Sequence, residues 1–320
     1  MKPLIVNALD IKGGAAKAAH RLHGGLKLLG LRSRMLVQSK SGDDDDVIAS
    51  PGRLAEFAGK YRPGLDSRLA GFLSGGAEKD FYPSLIPFSR IRNQIEGLAP
   101  DIINLHWISG GMFRIEELAL LPQPLVWTFH DMWPFTGGCS YAEDCLGYTR
   151  SCGNCPQLRR SSGQDLSYRV YTRKKAAYAN LSVTIVSPSH WLAEKARQSS
   201  LFGHCRIEVI PNGLDLQTYE PKKRSAARRA LKFSENMPLI LFGAVCATSD
   251  RRKGYDLLQK ALSSLRKNGI EKAKLLVFGA NSSHDDHELH FPVTYLGQIT
   301  NEDELAQVYS AADVTVVPSR

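Results

Sequence analysis

Short apolar runs alternate with longer amphipathic stretches along most of the chain. Runs such as Leu4–Leu9 and Lys274–Phe278 are largely apolar on both faces, which favours parallel strands covered by helices on each side. The pattern predicts strands at Leu4–Leu9, Arg32–Gln38, Ile102–His106, Leu125–His130, Val183–Ser187, Arg206–Ile210, Leu239–Gly243, Lys274–Phe278, Val293–Leu296 and Val314–Val317. It predicts helices at Ala15–Leu29, Ser89–Leu98, Arg114–Leu120, Leu166–Ala179, His190–Ser199, Ser225–Leu231, Tyr255–Asn268 and Glu302–Ala311.

The repetition of strand, helix and strand predicts right-handed βαβ units, and therefore an α/β fold with doubly wound parallel sheets. The stretch 211–223 is rich in turn residues and charge, and a new strand–helix series follows it. We therefore expect one domain over residues 1–210 and a second over 211–320. The sequence stops directly after the predicted strand Val314–Val317, where a parallel strand normally leads into a helix, so we expect the second domain to be incomplete.

The composition is that of a soluble globular protein. Of the 320 residues, 43% are hydrophobic and 23% are charged, which excludes a mostly disordered chain. Lys and Arg total 41 against 32 Asp and Glu, and the net charge of +9 favours an anionic partner: a phosphorylated substrate, an anionic membrane face or nucleic acid. No apolar run reaches the roughly 18–20 residues that cross a bilayer, and the first apolar run is too short for a signal peptide. We therefore expect a cytoplasmic protein.

A pair of glycines, Gly13 and Gly14, lies between the first predicted strand and the first predicted helix. Glycines at this position let the backbone approach a ligand, and the free N–H groups of the helix start favour an anion. A simple tight turn is the alternative interpretation.

Two neighbouring strand ends carry histidine. His130 and Asp131 lie at the C-terminal end of the fourth predicted strand, shortly before Trp133, and His106 with Trp107 repeats the layout one strand earlier. The carboxyl edge of an open α/β sheet faces the ligand crevice, so these side chains are candidates for binding a hydroxyl group or exchanging a proton. A capped, structural histidine is the alternative.

Four of the six cysteines fall in one glycine-rich loop over residues 136–158. Their positions are Cys139, Cys145, Cys152 and Cys155, and the last two form a C-x2-C pair. Thiolates bind zinc tetrahedrally, and a site closed by four cysteines has no open coordination position, so it would be structural. The alternatives are a staple of paired thiols and four unligated cysteines, although disulfides are unexpected in a cytosolic chain.

The second domain offers glycines and basic residues at its strand ends. Gly243 ends one predicted strand, Arg252 and Lys253 precede the next predicted helix, and Gly279 follows the next strand. Basic side chains beside a helix N-terminus form a suitable diphosphate site, because point charges combine with free backbone donors. A solvated charge run is the alternative. The stretch His284–His290 contains residue types that bind metals, but it lacks a helix or strand frame and is predicted to be a polar loop.

Taken together, these motifs resemble family 4 glycosyltransferases of the GT-B fold, and in particular the bacterial exopolysaccharide and colanic-acid type. The most specific part is HDMWPFTGGC from His130 combined with CGNCPQL from Cys152. The other matching stretches are Gly13–Ala16, Ala19–His23, Ser187–Leu192, Pro211–Asp215, Asp250–Gly254 and Ala311–Ser319.

The resemblance implies two facing Rossmann-like domains with a cleft between them, and retaining transfer of a sugar from a nucleotide-diphospho-sugar to a polysaccharide or lipid-linked acceptor. It implies that Gly14 approaches the donor phosphates, that His130 faces the transferred sugar, and that Arg252 and Lys253 clamp the diphosphate. Asn212 would belong to the hinge. No catalytic metal is expected, because basic side chains and a helix start stabilise the departing phosphate. A structural zinc remains an option.

The sequence departs from the family pattern at two places. Ala244 stands where many members carry a basic residue, so diphosphate binding rests more on Arg252 and Lys253. The family also places a Glu-x7-Glu motif after the Pro-Ser segment, whereas the given sequence ends at Arg320. The alternative function is therefore a weak or inactive sugar-nucleotide-binding paralogue or fragment. A nucleic-acid-binding protein is disfavoured, because the basic residues are spread along the chain.

The resemblance and the positive charge together favour peripheral contact with the inner face of the plasma membrane. The candidate site residues fall into four groups. They are His130 and Asp131 for catalysis; Gly13, Gly14, Arg252, Lys253, Gly243 and Gly279 for the donor; His106, Trp107, Trp133 and Asn212 for the acceptor side of the cleft; and Cys139, Cys145, Cys152 and Cys155 for a metal.

Overall fold

The computed structural model describes residues 1–49, 53–77, 80–86, 91–282 and 291–320. It divides into two compact units, Met1–Gly213 and Leu214–Arg320, and each contains its own parallel sheet. The predicted polar loop His284–His290 lies outside the described residues.

A seven-stranded parallel sheet forms the centre of the first unit, with the strand order β3-β2-β1-β4-β5-β6-β7. The strands are β1 (Pro3–Leu9), β2 (Arg34–Ser39), β3 (Val47–Ala49), β4 (Ile102–Leu105), β5 (Leu125–Thr128), β6 (Val183–Ser187) and β7 (Arg206–Val209). The helices are α1 (Gly14–Leu28), α2 (Arg53–Ser74), α3 (Ile91–Leu98), α4 (Leu166–Tyr178) and α5 (His190–Gln198), with 3-10 turns at Ile115–Leu120, Trp133–Phe135 and Gly147–Thr149.

The central strand β1 is buried on both faces. Leu4 and Val6 belong to the large core on one side of the sheet, whereas Ile5 packs on the other side with Ala19 of α1 and Met35 of β2. Alternate side chains of a strand point to opposite faces, so a strand that is apolar at every position needs a helical layer on each side. This is the doubly wound arrangement that the continuous apolar run predicts.

The strand order of the first sheet reverses between β1 and β4. The strands β2 and β3, which follow β1 in the chain, lie on one side of this point. The strands β5, β6 and β7, which follow β4, lie on the other side. In open α/β sheets the loops diverge at such a switch point and leave a crevice outside the carboxyl ends of the strands. The residues after β1 and β4 therefore border the place where a ligand is expected.

The second unit has a four-stranded parallel sheet with the order β10-β9-β8-β11, which reverses between β8 and β11. Its strands are β8 (Leu239–Gly243), β9 (Lys274–Phe278), β10 (Val293–Gly297) and β11 (Val314–Thr315). Its helices are α6 (Arg224–Ala230), α7 (Tyr255–Lys267) and α8 (Glu302–Ala311), with a 3-10 turn at Arg251–Lys253.

The parallel α/β architecture is confirmed in both units, but three local predictions fail. The sequence pattern misses β3, which is only three residues long, and it misses the 22-residue helix α2. Pro63 and several glycines lie inside α2, and both residue types lower the helix propensity of the segment. The α-helix predicted over Arg114–Leu120 is wrong in type, because Ile115–Leu120 forms a 3-10 helix.

Candidate functional site

Two histidines meet at the carboxyl edge of the first sheet. His106 follows β4 and His130 follows β5, and Nδ1 of His106 lies 2.8 Å from Nε2 of His130. Their rings are stacked, with 5.1 Å between centroids and 22° between planes. Burial lowers the pKa of His106 to about 3 and that of His130 to about 4. Both rings are therefore neutral at neutral pH, and they act as hydrogen-bonding groups rather than as cations.

The surroundings of Nε2 of His106 indicate which ring nitrogen of His106 carries the proton. Its Nε2 has no hydrogen-bond partner among the described residues. A buried N–H group without an acceptor costs more than a buried lone pair, so we assign the proton of His106 to Nδ1. His106 then donates to Nε2 of His130, and His130 carries its own proton on Nδ1.

Asp131 connects two tryptophans. Oδ1 accepts a hydrogen bond of 2.9 Å from the backbone N–H of Trp133, and Oδ2 accepts one of 3.1 Å from the indole N–H of Trp107. Burial raises the pKa of Asp131 to about 6, against the opposing effect of these hydrogen bonds. The structure therefore brings the predicted group His106, Trp107, His130, Asp131 and Trp133 together, with Asp131 as the residue that fixes the tryptophans.

A buried asparagine that the sequence analysis did not select completes this edge. Asn7 of β1 is 1% exposed, and its Oδ1 accepts a 2.8 Å hydrogen bond from the backbone N–H of Trp107. The backbone N–H of His106 donates to the carbonyl of Val6 at 2.8 Å, and the carbonyl of His106 accepts from the indole of Trp127 at 3.1 Å. A single polar residue inside the apolar run of β1 was the signal that could have identified Asn7.

The start of α1 is open. Gly13 precedes the helix with φ of 96°, a value that favours glycine, and no side chain among the described residues caps the helix start. Gly13 and Gly14 are exposed, and a Cβ atom built on either would meet no described heavy atom within 4 Å. The first-turn N–H groups and the helix dipole therefore present a partial positive charge to the space outside β1.

The basic turn of the second unit lies at its own switch point. The backbone N–H of Arg320, which follows β11, donates to the carbonyl of Arg252 at 2.9 Å. The guanidinium of Arg252 binds Asp250 through two hydrogen bonds, from Nε at 2.9 Å and from Nη2 at 2.8 Å. The carboxylate of Asp250 therefore orients Arg252 within the turn itself. The sequence alone did not indicate this pairing. Lys253 is the next residue of the same turn and is partly exposed.

Gly243 and Gly279, the two donor-site candidates among the glycines of the second unit, lie in closely packed surroundings. A Cβ atom on Gly243 would lie 2.3 Å from the ring of Phe278, and one on Gly279, whose φ is 82°, would lie 1.8 Å from the carbonyl oxygen of Ala244. These contacts explain both glycines without a ligand. Asn212 is exposed near the end of the first unit.

The four cysteines of the loop 136–158 line one small cavity, and all of them are free thiols. Burial raises the pKa of Cys139 and of Cys152 to about 12. These two thiols therefore stay protonated at neutral pH unless a cation binds their thiolate forms.

Solved structures share this architecture over the whole chain. A sucrose-phosphate synthase from Thermosynechococcus elongatus is similar with a TM-score of 0.64 and 17% identity, covering 100% of this chain and 76% of that one. WaaG, a glycosyltransferase involved in lipopolysaccharide biosynthesis, is similar with a TM-score of 0.58 and 15% identity, covering 100% of this chain and 75% of that one. The two parallel α/β units of this chain have the GT-B fold of these glycosyltransferases.

Residues 12–218 match the model of Glycosyltransferase Family 4, and residues 238–320 match that of Glycosyl transferases group 1. The chain belongs to glycosyltransferase family 4. A putative colanic acid biosynthesis glycosyl transferase, WcaC of Escherichia coli (strain K12), is 32% identical over 232 residues, which cover 68% of this chain and 56% of that relative. The chain spans about half the length of the curated relatives it matches. Within the described part of the chain, every helix is too short or too polar to cross a membrane.

Proposed function

We propose that this chain transfers a sugar from a nucleotide-diphospho-sugar donor to a saccharide acceptor. The observation that carries the proposal is the open start of α1 at the switch point of the first sheet. Gly13 and Gly14 leave this helix start uncapped and exposed. On the other side of the switch point, β4 is followed by His106, the partner of His130. A phosphate suits the helix start, and a sugar hydroxyl suits the neutral histidine pair.

The reaction breaks the bond between the anomeric carbon of the sugar and the diphosphate, which leaves with the bonding electrons. The negative charge on the diphosphate increases in the transition state, so hydrogen-bond donors and cations directed at it lower the barrier. In this proposal Gly14 approaches the donor phosphates, and Arg252 and Lys253 of the second unit supply positive charge. Because Asp250 already binds Arg252, we assign the larger electrostatic contribution to Lys253.

We propose that the transfer retains the anomeric configuration, with the acceptor hydroxyl approaching the face that the diphosphate leaves. The pKa of His130 is lowered to about 4, so the ring is neutral under working conditions. A neutral ring with its proton on Nδ1 can donate a hydrogen bond to a hydroxyl of the transferred sugar. His130 therefore orients the sugar, and the acceptor proton passes to the departing phosphate.

We further propose that the acceptor is a polysaccharide or a lipid-linked oligosaccharide at the inner face of the plasma membrane. Helix α2 of the first unit exposes large apolar side chains, among them Leu65 at 51%, Phe72 at 81% and Leu73 at 49%. Arg68 is exposed on the same helix, and the chain carries a net charge of +9. Exposed apolar side chains combined with basic ones suit an anionic membrane surface.

The test is sugar transfer by the 320-residue chain. The purified protein is incubated with individual UDP-, GDP- and ADP-sugars and with lipid-linked saccharide acceptors, and products are identified by mass spectrometry. We expect transfer from one class of donor and an anomeric configuration, read by NMR, that matches the donor. A product of opposite configuration would show that retention is wrong while leaving transfer intact.

Donor binding is measured separately by calorimetry. His130→Ala should lose transfer, and His204→Ala is the matched control because His204 is an exposed histidine in the loop before β7. The proposal fails if no nucleoside diphosphate or nucleotide sugar binds, or if His130→Ala retains the activity of the unchanged chain.

A further inference from the structure

We propose that Cys139, Cys145, Cys152 and Cys155 bind one Zn²⁺ ion as a closed tetrahedral site that holds the loop 136–158 in place. This inference concerns a structural metal, and it does not depend on the proposed transfer reaction. It rests on four features of the described residues: a shared cavity, hydrogen bonds to sulfur, a buried lysine and the attachment of the loop to the core.

The first feature is the cavity. All four cysteines line one space of about 20 Å³, although they are spread over 17 positions of the sequence. A space of this size holds about one water-sized group. Much of the remaining lining is apolar, including Phe81, Ala142 and Tyr148. Four thiols around one small space match the ligand number of structural zinc.

The second feature is a pair of backbone hydrogen bonds to sulfur. The N–H of Gly137 donates to Sγ of Cys152 at 3.2 Å, and the N–H of Gly147 donates to Sγ of Cys145 at 3.4 Å. A Cβ atom on Gly147 would lie 3.5 Å from Sγ of Cys145 and 3.8 Å from Sγ of Cys152, so both sulfurs lie against this glycine. Neutral thiols are weak acceptors, whereas thiolates accept strongly, and such outer hydrogen bonds stabilise metal-bound sulfur.

The third feature is the buried side chain of Lys174. It is 0% exposed, and its Nζ donates to the carbonyls of Trp133 and Thr136, the latter at 3.1 Å. Burial lowers the pKa of Lys174 to about 7, and negative charge on Cys139 and Cys152 acts against this shift and favours the ammonium form. Four thiolates and one Zn²⁺ carry a net charge of −2, and an adjacent buried cation offsets part of it. The lysine also gains an anionic partner that compensates for the loss of hydration.

The fourth feature is the attachment of the loop to the core. Cys139 forms a β-bridge with Phe81. The backbone N–H of Cys155 donates to Oδ2 of Asp165 at 2.8 Å, and Asp165 is the N-terminal cap of α4. The backbone N–H of Met132 donates to the carbonyl of Ser140 at 2.9 Å. The loop therefore connects the segment that begins at His130 to α4, and a metal inside the loop would stabilise both.

The sulfurs have to move closer together to bind the ion. Tetrahedral Zn–S bonds of about 2.3 Å place sulfurs about 3.8 Å apart. Among the described residues, His23, Asp44 and Asp46 form the one group of three metal-ligating side chains whose donor atoms all lie within 4.8 Å of one another. The four cysteines are more widely spaced, but a change of rotamer moves a cysteine sulfur by up to about 3 Å. We therefore expect zinc binding to draw the loop inward.

The group of His23, Asp44 and Asp46 is a weaker metal candidate. Nζ of Lys27 lies 2.5 Å from Oδ2 of Asp46 and 3.4 Å from Oδ1 of Asp44, so an ammonium group already pairs with both carboxylates. We propose no metal there.

The test is the zinc content of the full chain, produced with zinc in the medium and purified without chelators. We expect about one equivalent of zinc by elemental mass spectrometry. Each of the four variants Cys139→Ser, Cys145→Ser, Cys152→Ser and Cys155→Ser should lose most of it. The matched controls are Cys205→Ser and Cys246→Ser, which change free cysteines outside the loop and should keep the metal.

Two further measurements do not require a variant to fold. Modification of the thiols of the unchanged protein with a mercurial should release the zinc, detected with a chromogenic chelator, as the loop cysteines react. Exchange of zinc for Co²⁺ should give the visible bands of a tetrahedral tetrathiolate site. Less than about half an equivalent of zinc, retention of zinc by the loop variants, or disulfides among the four cysteines in peptide mapping would each overturn the proposal. None of these readouts uses a donor or an acceptor, so they remain independent of whether sugar transfer is found.

Discussion

Nδ1 of His106 lies 2.8 Å from Nε2 of His130, and the two rings are stacked. His106 is 3% exposed, whereas His130 is partly exposed at the carboxyl edge of the sheet. In the proposed reaction we therefore assign His106 the role of a positioning residue, which fixes the tautomer and the ring orientation of His130.

Replacing His106 should therefore reduce turnover more than donor binding. His106→Ala removes the hydrogen bond to Nε2 of His130, so the ring of His130 can rotate and take the other tautomer. We expect kcat to fall by about 10²-fold, with KM for the donor changed by less than about threefold. Steady-state kinetics with the donor that the transfer assay selects would check this. His106→Asn, which places an amide near the same position, should recover part of the loss, whereas a purely structural role would give equal effects for both variants.

The histidine pair should also make stability depend on pH. The pKa of His106 falls from its ordinary 6.5 to about 3 in the folded state, and that of His130 falls to about 4. Below pH 6.5 the two histidines are therefore protonated in the unfolded chain but stay neutral in the folded protein. The free energy of unfolding consequently decreases as the pH is lowered. Each histidine contributes up to about 1.4 kcal/mol per pH unit in this range.

His106→Asn should flatten that dependence, reducing the loss of stability between pH 6.5 and 5 by about 1.5 kcal/mol. Urea unfolding of both proteins across this range measures the slope, which is insensitive to a constant destabilisation by the variant. Asp131 works in the opposite direction, because its raised pKa of about 6 makes the folded state bind a proton more readily below that pH. Equal slopes for the two proteins would contradict the buried, neutral state of His106.

Two glycines of the second unit with the same backbone conformation should respond differently to alanine. Gly254 has φ of 70° and precedes α7, and a Cβ atom there would lie 2.0 Å from the carbonyl oxygen of Pro318. Gly269 has φ of 84°, and a Cβ atom there would meet no described heavy atom within 4 Å. Gly269→Ala should cost about 1 kcal/mol for the left-handed conformation alone.

Gly254→Ala should cost at least about 3 kcal/mol, because backbone strain adds to a clash with main-chain atoms. Thermal or urea unfolding of the two variants gives the comparison. Similar losses for both would mean that the segment around Pro318 moves aside without cost.

The contribution of Lys253 to diphosphate binding can be isolated from that of Arg252. Lys253→Ala should weaken the binding of a nucleoside diphosphate about tenfold and should reduce the salt dependence of the affinity. Calorimetric titration at two ionic strengths measures both effects. Lys272→Ala is the matched control, since Lys272 is an exposed lysine before β9. If both variants bind the nucleotide equally well, Lys253 does not contact the phosphates.

The sequence predicts the parallel sheets well because parallel strands are apolar on both faces, as Leu4, Ile5 and Val6 show. It also predicts that His106 and His130 converge, because the carboxyl ends of neighbouring parallel strands meet at one edge. The helix α2 is missed because its local propensity is poor, and packing of the helix against β2 stabilises it instead.

Features that depend on side-chain direction could not be predicted from the sequence. The binding of Asp250 to Arg252 is a choice of rotamer, and the burial of Lys174 depends on how α4 packs. The spacing of the cysteines predicted a common loop, but the shared cavity became apparent only in three dimensions.

The hydrogen bond from Trp107 to Asn7 joins residues 100 positions apart, and β1 lies between β2 and β4 at the centre of its sheet. During synthesis, one edge of this apolar strand stays unpaired until the segment around Trp107 has left the ribosome. Over that interval the nascent chain exposes a surface that chaperones recognise and that promotes aggregation. The yield of folded protein in the cell should therefore depend more strongly on translation rate and chaperone supply than on the stability of the finished fold.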